Sequence, residues 1–438
     1  MTPTLEMSVS RIELAKDEFR KLQPRWCGLT REQVVADQRL RLRAAMIEEV
    51  IERGYAATSV KYVLARAKTN RKVFYEQFAS KQDCFLSTYD YFTDGAVQRI
   101  SAAYRQKRGW RRKLHAAFEA YTLEVVASPK AARLALVEVL AAGPVAIARL
   151  DRTRQTFEKM IATSLSEGHS GVELPPLLVQ GTVCGIERVT RRHLLAGTIE
   201  ELPGLAEELC AWVLSYRSAA ANELRIAVPR GGRLRSRRAA EEETDRIRLL
   251  RSAAKIAADE GYASLTAGRI ARDAGVSKAT FDALFKGEKG KDQCFFDALR
   301  HLGLEALVQA GEPARCASDP AIGVQRGIAA LMEYLAYDPV LAQIAFVEVF
   351  AAGPAAIETR EWVLSEFKRL LVKLLPEADR PSDVVAEATV GAVWGIIHHR
   401  ITHGSPRELP YLSNHAAYLA LTPALGAETA VKKIALAT

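Results

Sequence analysis

Runs of apolar residues long enough to cross a membrane are missing from this chain of 438 residues; no segment supplies the roughly 18 consecutive apolar positions that a spanning helix needs. Its first residues, MTPTLEMSVSRIELAKDEF, lack a basic start followed by an apolar run, so no secretory leader is expected there. None of the six cysteines (Cys27, Cys84, Cys184, Cys210, Cys294 and Cys316) stands in a CxxC pair, and no Cys/His cluster has zinc spacing. That argues against a disulfide framework and a zinc module, and a reducing cytoplasm fits best. Alternation of apolar and polar residues over strand lengths is scarce, which speaks against β-structure. A GxSxG elbow, an HExxH helix, a P-loop GK[ST] and a dinucleotide glycine fingerprint are also absent. The chain is therefore expected to be no enzyme and to carry no catalytic residue, cofactor or metal.

What is present is repetition. Residues 135–147 read ALVEVLAAGPVAI, and residues 345–357 read AFVEVFAAGPAAI. Glu52-Arg53-Gly54-Tyr55-Ala56 recurs as Asp259-Glu260-Gly261-Tyr262-Ala263, and KQDCF from Lys81 recurs as KDQCF from Lys291. The offset is 207 residues at Gly54/Gly261 and 210 at Lys81/Lys291, the difference being three extra residues between Lys286 and Lys291. A period this long is that of a whole multi-domain unit, not of a solenoid repeat. Apolar content of 49% and charged content of 26% are those of an ordinary globular protein. The net charge of +9 permits a polyanionic partner without requiring one.

Helical spacing dominates. Leu40, Ala44, Ile47 and Ile51 form one stripe, and Val60, Val63, Leu64 and Ala67 form another. Ala267, Ile270, Ala271 and Ala274 repeat the second stripe, so the fold class is all-α with two tandem units of amphipathic helices. The expected divisions are an N-terminal extension (1–36), a first three-helix domain (37–82) and a first helical regulatory domain (83–224). A basic linker (225–243), a second three-helix domain (244–292) and a second regulatory domain (293–438) follow. The linker RIAVPRGGRLRSRRAAEEE is charged and almost free of large apolar residues. Its Arg230, Arg233, Arg235, Arg237 and Arg238 are either a solvated tether or a minor-groove arm.

In the first three-helix domain a short helix ends near Ala67, a turn follows at Lys68 and Thr69, and Asn70 can cap the next helix. If Val73, Phe74 and Phe78 pack inward, then Thr69, Asn70, Arg71, Lys72 and Tyr75 face out. Two short helices around a small turn, the second displaying basic and polar groups, are the layout of a helix-turn-helix. Lys81 opens the following helix, where a phosphate would meet an ammonium and free N–H groups. From Thr58 to Lys81 the cations are Lys61, Arg66, Lys68, Arg71, Lys72 and Lys81, against the one acid Glu76.

Through Gly54-Tyr55, Thr58-Ser59-Val60, Asn70 to Tyr75 and Phe78 to Lys81, the first half resembles the DNA-binding domain of TetR-family regulators. The second half is similar to it through Gly261-Tyr262, Ile270-Ala271, Ala274 to Phe281, Phe285 and Lys291. The resemblance implies a DNA-binding domain of three helices and a ligand-binding, dimerising domain in each unit. Across the two copies it makes Lys61, Thr69, Asn70, Arg71, Lys72, Tyr75, Lys81, Thr266, Ser277, Lys278, Ala279, Thr280 and Lys291 the DNA-contacting candidates. It also implies pairing through the last two helices of each unit, expected at Pro176 to Ala196 with Pro203 to Arg217, and Ser382 to Gly404 with Leu409 to Leu421. Within one chain that pairing gives an intramolecular pseudo-dimer on a double-stranded DNA operator, further self-association remaining open. Two departures stand out. Lys68 replaces the family's turn glycine, and Asp282 stands where the first half has Tyr75, so the two readers differ and the operator is expected to be asymmetric.

The family's effector site leads to a small molecule of unknown identity. Aromatic residues among the central helices give the candidates Phe85, Tyr89, Phe118, Tyr121, Phe296, Tyr334, Trp394 and His398. Glu138 and Glu348 join them, as acids between valines that must find an arginine, a donor, a cationic ligand or water. His399 and His403 lie one turn apart, but no nearby acid or cysteine completes a metal set. The sequence thus reads as a ligand-responsive transcriptional regulator, most simply a repressor. The other reading is a small-molecule-binding adaptor whose DNA-reading domains have degenerated.

Overall fold

The computed structural model describes residues 30–167, 174–228 and 244–437, so the N-terminal extension up to residue 29 and the linker arginines from Arg230 to Arg238 lie outside the described residues. Among the described residues every regular element is helical. The first half supplies α1 (Arg31–Ala57), α2 (Val60–Arg66), α3 (Arg71–Gln77), α4 (Lys81–Gln106), α5 (Trp110–Ala127), α6 (Pro129–Leu136), α7 (Pro144–Ser166), α8 (Pro176–Ala196) and α9 (Ala206–Ser215). The second half repeats the plan with α10 (Asp245–Glu260), α11 (Ala267–Asp273), α12 (Lys278–Leu284), α13 (Gly290–Arg315), α14 (Pro320–Tyr337), α15 (Pro339–Gln343), α16 (Pro354–Leu374), α17 (Asp383–His403) and α18 (Ser413–Leu425). A last helix, α19 (Ala427–Ala437), has no α-helical counterpart among the described residues of the first half. Among the described residues no single helix is long and apolar enough to cross a membrane.

Helix α1 begins at Arg31, ahead of the expected domain boundary at residue 37. The cause is Thr30: its side chain accepts the Gln33 N–H (3.3 Å) while the Gln33 side chain accepts the Thr30 N–H (2.9 Å), closing a capping box. The chain divides into two compact units. One runs to Gly95 and takes in Ser128–Arg149; the other holds Ala96–Ala127 and everything from Leu150 onward. The division between Gly95 and Ala96 falls inside α4, which runs from Lys81 to Gln106. The first unit is built around the fully buried Leu42, Met46, Val50, Val63, Phe74 and Phe85.

The second unit contains the second three-helix domain and helices from both halves. Its central feature is the packing of α8 on α17. At Gly395 an added Cβ would lie 2.2 Å from the Cβ of Cys184, and at Gly185 one would lie 2.5 Å from the Ala388 carbonyl oxygen. The two backbones approach so closely only because these positions carry no side chain. Arg188, buried in α8, then reaches Glu387 of α17 (2.5 Å) and Glu361 of α16 (2.6 Å). Glu387 also receives Arg192 (2.7 Å) and Lys368 (3.1 Å). The flanking helices join through buried donors: the Trp212 indole N–H donates to Thr389 (3.2 Å), and the Tyr216 hydroxyl donates to the Leu419 carbonyl (2.9 Å). At the start of the expected linker, the Ala227 N–H donates to the Tyr411 carbonyl at 3.2 Å.

The tight crossing sets the first test. Gly395→Ala should destabilise the protein by about 1–3 kcal/mol through overpacking. Gly204→Ala, where an added Cβ meets nothing within 4 Å, should stay within about 0.5 kcal/mol of the parent. Urea midpoints of the two variants make the comparison.

Candidate nucleic-acid interface

Each three-helix domain ends in two short capped helices around one tight turn. Ser59 caps α2 and Asn70 caps α3, the Asn70 side chain accepting the Val73 N–H at 3.0 Å. In the second copy Thr266 caps α11 and Ser277 caps α12, accepting the Thr280 N–H at 3.0 Å. The turn needs a left-handed residue. The second half supplies Gly275 (φ 65), whereas the first half forces Lys68 to φ 48. A side chain in that region costs about 1–2 kcal/mol, which the first domain tolerates.

Phe74 and Phe78 are buried, and Val73 is half-buried. This anchoring leaves Asn70, Arg71, Lys72 and Tyr75 exposed and Thr69 half-buried, with Tyr75 edge-on to Phe74 at 5.2 Å. The cations divide by task. Arg66 is tied to Glu49 and Glu52, each at 2.6 Å. The Lys81 ammonium donates to the carbonyls of Tyr55 (3.0 Å) and Thr58 (2.9 Å) and lies 4.3 Å from the Tyr55 ring centroid. Burial pushes its pKa down. The Lys81 ammonium is thus engaged within the fold, by the corner at Tyr55 and Thr58. Lys61, Lys68, Arg71 and Lys72 remain exposed.

The second domain keeps the scaffold and alters the display. Phe281 and Phe285 are buried; Ser277, Lys278, Ala279 and Thr266 are exposed, and Thr280 is half-buried. The Lys278 ammonium donates to Asp282 at 2.6 Å, one turn along the same helix. Lys291 is half-buried, 5.3 Å from the Tyr262 ring centroid. The outward charge of α12 is therefore largely cancelled, while α3 presents Arg71 and Lys72 together.

Sequence comparison meets this geometry at the same two places. The family model described as "Bacterial regulatory proteins, tetR family" matches residues 42–88 and 249–297. The chain carries the DNA-binding domain of the tetR family twice. Over 85 residues it is 31% identical to the HTH-type transcriptional activator FasR of Mycolicibacterium smegmatis (strain ATCC 700084 / mc(2)155), a match covering 19% of this chain and 39% of the relative. The chain thus spans about two fifths of the length of that curated relative. Among solved structures it is similar to the transcriptional regulator FadR from Bacillus subtilis in complex with stearoyl-CoA, at 15% identity and a TM-score of 0.36 over 40% of this chain and 97% of that one. It is also similar to the fatty acid degradation regulator FadR from Bacillus halodurans, at 17% identity and a TM-score of 0.36 over 41% of this chain and 96% of that one.

Buried Glu138 and half-buried Glu348 hold the two tetR-type domains. Helices α1 and α10 break at Gly54 (φ 77) and Gly261 (φ 87), which leaves the next N–H, of Tyr55 or Tyr262, without a helical acceptor. Glu138 accepts the Tyr55 N–H, and Glu348 accepts the Tyr262 N–H at 2.8 Å. Both acids stand where the regulatory helix is irregular, in a 3-10 turn (Glu138–Ala141) and a π-helical turn (Ile344–Glu348). Burial pushes the Glu138 carboxyl up from the ordinary 4.5 to about 7, opposed by Arg133 at 3.7 Å and by the Tyr55 N–H. Glu138 and Glu348 thus each satisfy the backbone N–H at a helix corner. The signal was in the sequence: an acid in an apolar helix and a Gly-Tyr corner, both kept in each copy.

Most of the aromatic effector candidates are packing residues. Phe85 is fully buried edge-on to Tyr55 at 4.9 Å, and Tyr89 and Phe118 are buried in the cores of their own units. The Tyr121 hydroxyl bonds Thr190 at 2.9 Å, Phe296 packs on Phe295 at 6.3 Å, and the Tyr334 hydroxyl donates to Glu305 at 3.2 Å. His398 is buried against Phe346 and Phe350, and burial holds its pKa well below the usual imidazole range. Trp394 alone of the candidates lines either of two cavities in the second half. His403 pairs with Asp151 at 2.9 Å and stacks on His399, and among the described residues no cluster could hold a metal ion.

Two measurements follow. Lys72→Ala should lower the slope of log affinity against log salt by about one, whereas Lys81→Ala should leave that slope unchanged and lower stability. The second concerns pH. Below about 4.5 the Glu138 carboxyl is protonated in folded and unfolded chains alike; from there to about 7 only the unfolded chain releases the proton. Wild-type stability should therefore fall relative to Glu138→Gln as pH rises through that window, by at most about 1.4 kcal/mol per pH unit, and level off above it. Melting temperatures of both proteins between about pH 5 and pH 8 test the sign.

Proposed function

We propose that this protein is a ligand-responsive repressor that binds a double-stranded DNA operator as an intramolecular pseudo-dimer. The packing of α8 on α17 carries this reading. These helices are equivalent at an offset of 207 residues, so two identical α8 helices meeting in the same way would put Gln180 where Glu387 stands and Arg188 where Gly395 stands. That pairing would leave a buried Arg188 without a carboxylate that it now has, and would place a long side chain against Cys184. Pairing between unlike halves of one chain is favoured over pairing of like halves, and covalent linkage makes it independent of concentration.

The operator is expected to be asymmetric. Arg71 and Lys72 of the first reader are exposed, whereas the second reader spends Lys278 on Asp282. Repression is the expected sign, since a protein seated across a promoter blocks it by occupancy alone. The five cysteines among the described residues are free thiols, which supports a reducing cytoplasm as its place.

Binding-site selection with the full chain, followed by titration at falling protein concentration, tests the proposal. The expected result is an asymmetric site bound by one chain with unchanged affinity on dilution into the nanomolar range. Two chains per site, or a symmetric site preferred over every asymmetric one, would overturn the pseudo-dimer. A reporter that rises when the protein is supplied would reverse the sign to activation.

A further inference from the structure

A dense, unpartnered positive charge sits at the corner between α4 and α5. Residues 105–113 read RQKRGWRRK, six cations and no acid. Among the described residues only Lys113 of these has an ion pair, with Glu167 at 2.6 Å. Arg105, Lys107, Arg108, Arg111 and Arg112 are exposed and have none. The corner is firmly built. It turns at Gly109 (φ 81), and the Lys113 N–H donates to the Gly109 carbonyl at 3.0 Å. The Trp110 ring centroid lies 4.1 Å from the Arg217 guanidinium and 4.8 Å from that of Arg111. Arg217 in turn donates to the carbonyls of Leu165 (2.9 Å) and Glu167 (2.7 Å) at the end of α7. The cations are therefore displayed on a fixed frame, which lowers the ordering cost of binding.

The second half is an internal control. There α14 starts at Pro320 as α5 starts at Trp110, at an offset of 210, and both helices run for 18 residues. Residues 315–323 read RCASDPAIG, with one cation, and Asp319 is paired with Lys433. The same corner thus folds without the charges, so they answer no need of the scaffold. Like charges crowded on one corner repel each other, and an anion there relieves that cost. Four of the five exposed cations are arginines, whose planar fork matches phosphate. No large apolar side chain of the corner is exposed, and the Trp110 ring is already occupied by guanidinium groups. A bilayer would need such an apolar wedge; a phosphodiester backbone does not. Helix α4 is 26 residues long, which puts its ends about 38 Å apart. Helix α3 precedes one end and the corner follows the other, so the corner is no part of the first helix-turn-helix.

We propose that this corner is a second, sequence-independent contact for the phosphate backbone of duplex DNA, by which a chain seated on one duplex holds another segment. Bridging of two duplexes rests on the operator reading above; the contact of the corner with DNA does not.

The experiment holds the full chain on an unlabelled duplex of its selected operator and adds a short fluorescent duplex of random sequence at low salt. A ternary complex is expected. Lys107→Ala, Arg108→Ala and Arg112→Ala together should weaken capture of the second duplex about tenfold or more, and lower its slope of log affinity against log salt by about two to three. Operator affinity and melting temperature should stay as in the wild type, since these side chains are exposed and without ion pairs. Arg108→Gln with Arg112→Gln serves as a second variant should the first fail to fold. Arg108→Lys with Arg112→Lys keeps the charge and should retain capture. Arg326→Ala, Lys373→Ala and Lys432→Ala remove the same charge from exposed positions elsewhere in the second unit and should leave capture unchanged. Absence of a ternary complex, capture that survives loss of the corner cations, or an equal loss in the charge-matched control would overturn the site. So would binding to phosphatidylserine vesicles that depends on the corner while no second duplex is captured, which would assign the surface to a membrane. A chain that selects no operator, yet binds the random duplex with the same dependence on the corner, refutes the regulator reading and leaves the site standing.

Discussion

The close approach of α8 and α17 is the constraint on which the second unit depends. Two helices can come this near only where side chains are missing, and the glycines at 185 and 395 supply the gaps. Closeness alone would permit several registers. Arg188 restricts them, because a guanidinium buried at this depth must meet carboxylates, and Glu387 and Glu361 are placed to meet it in one register. Shape therefore brings the halves together, and charge selects which surfaces meet.

The two DNA-reading domains show how a duplicated scaffold diverges while its folding rules persist. Caps, the left-handed turn and the paired phenylalanines recur in both copies, since each answers a local requirement of short helices. The outward charges answer no such requirement and have changed. In the first domain Arg66 and Lys81 hold the fold, and Arg71 and Lys72 are left at the surface. In the second, Lys278 turns to Asp282. Net positive charge is thus a poor guide to groove contacts until the cations with structural duties are set aside.

The glutamate corners tie regulatory helices to reading helices by a single repeated device. A helix that breaks at a positive-φ glycine leaves an N–H that must be satisfied, and an acid from an irregular turn satisfies it. Substitution of the tyrosine by anything but proline keeps the backbone N–H, so the acid is the variable part of the joint. The raised pKa of Glu138 shows that its carboxyl is held in an apolar setting more than in an ionic one.

By itself the sequence determined the duplication, the all-helical class, the helix-turn-helix layout and the resemblance to the tetR family. Each of these is written in short-range patterns: stripe spacing, caps before helices and the offset between copies. Tertiary structure alone decided which charges are spent inside the fold. Lys81 and Lys72 both stand in the first turn of a helix, yet one faces carbonyls across 23 and 26 residues of chain while the other lies exposed. It also decided that Glu138 and Glu348 latch corners, and that Trp394, unlike Phe85 or Tyr121, borders empty space. Burial of a charge and vacancy beside a ring are set by what distant segments bring to the same place, and no local pattern encodes that.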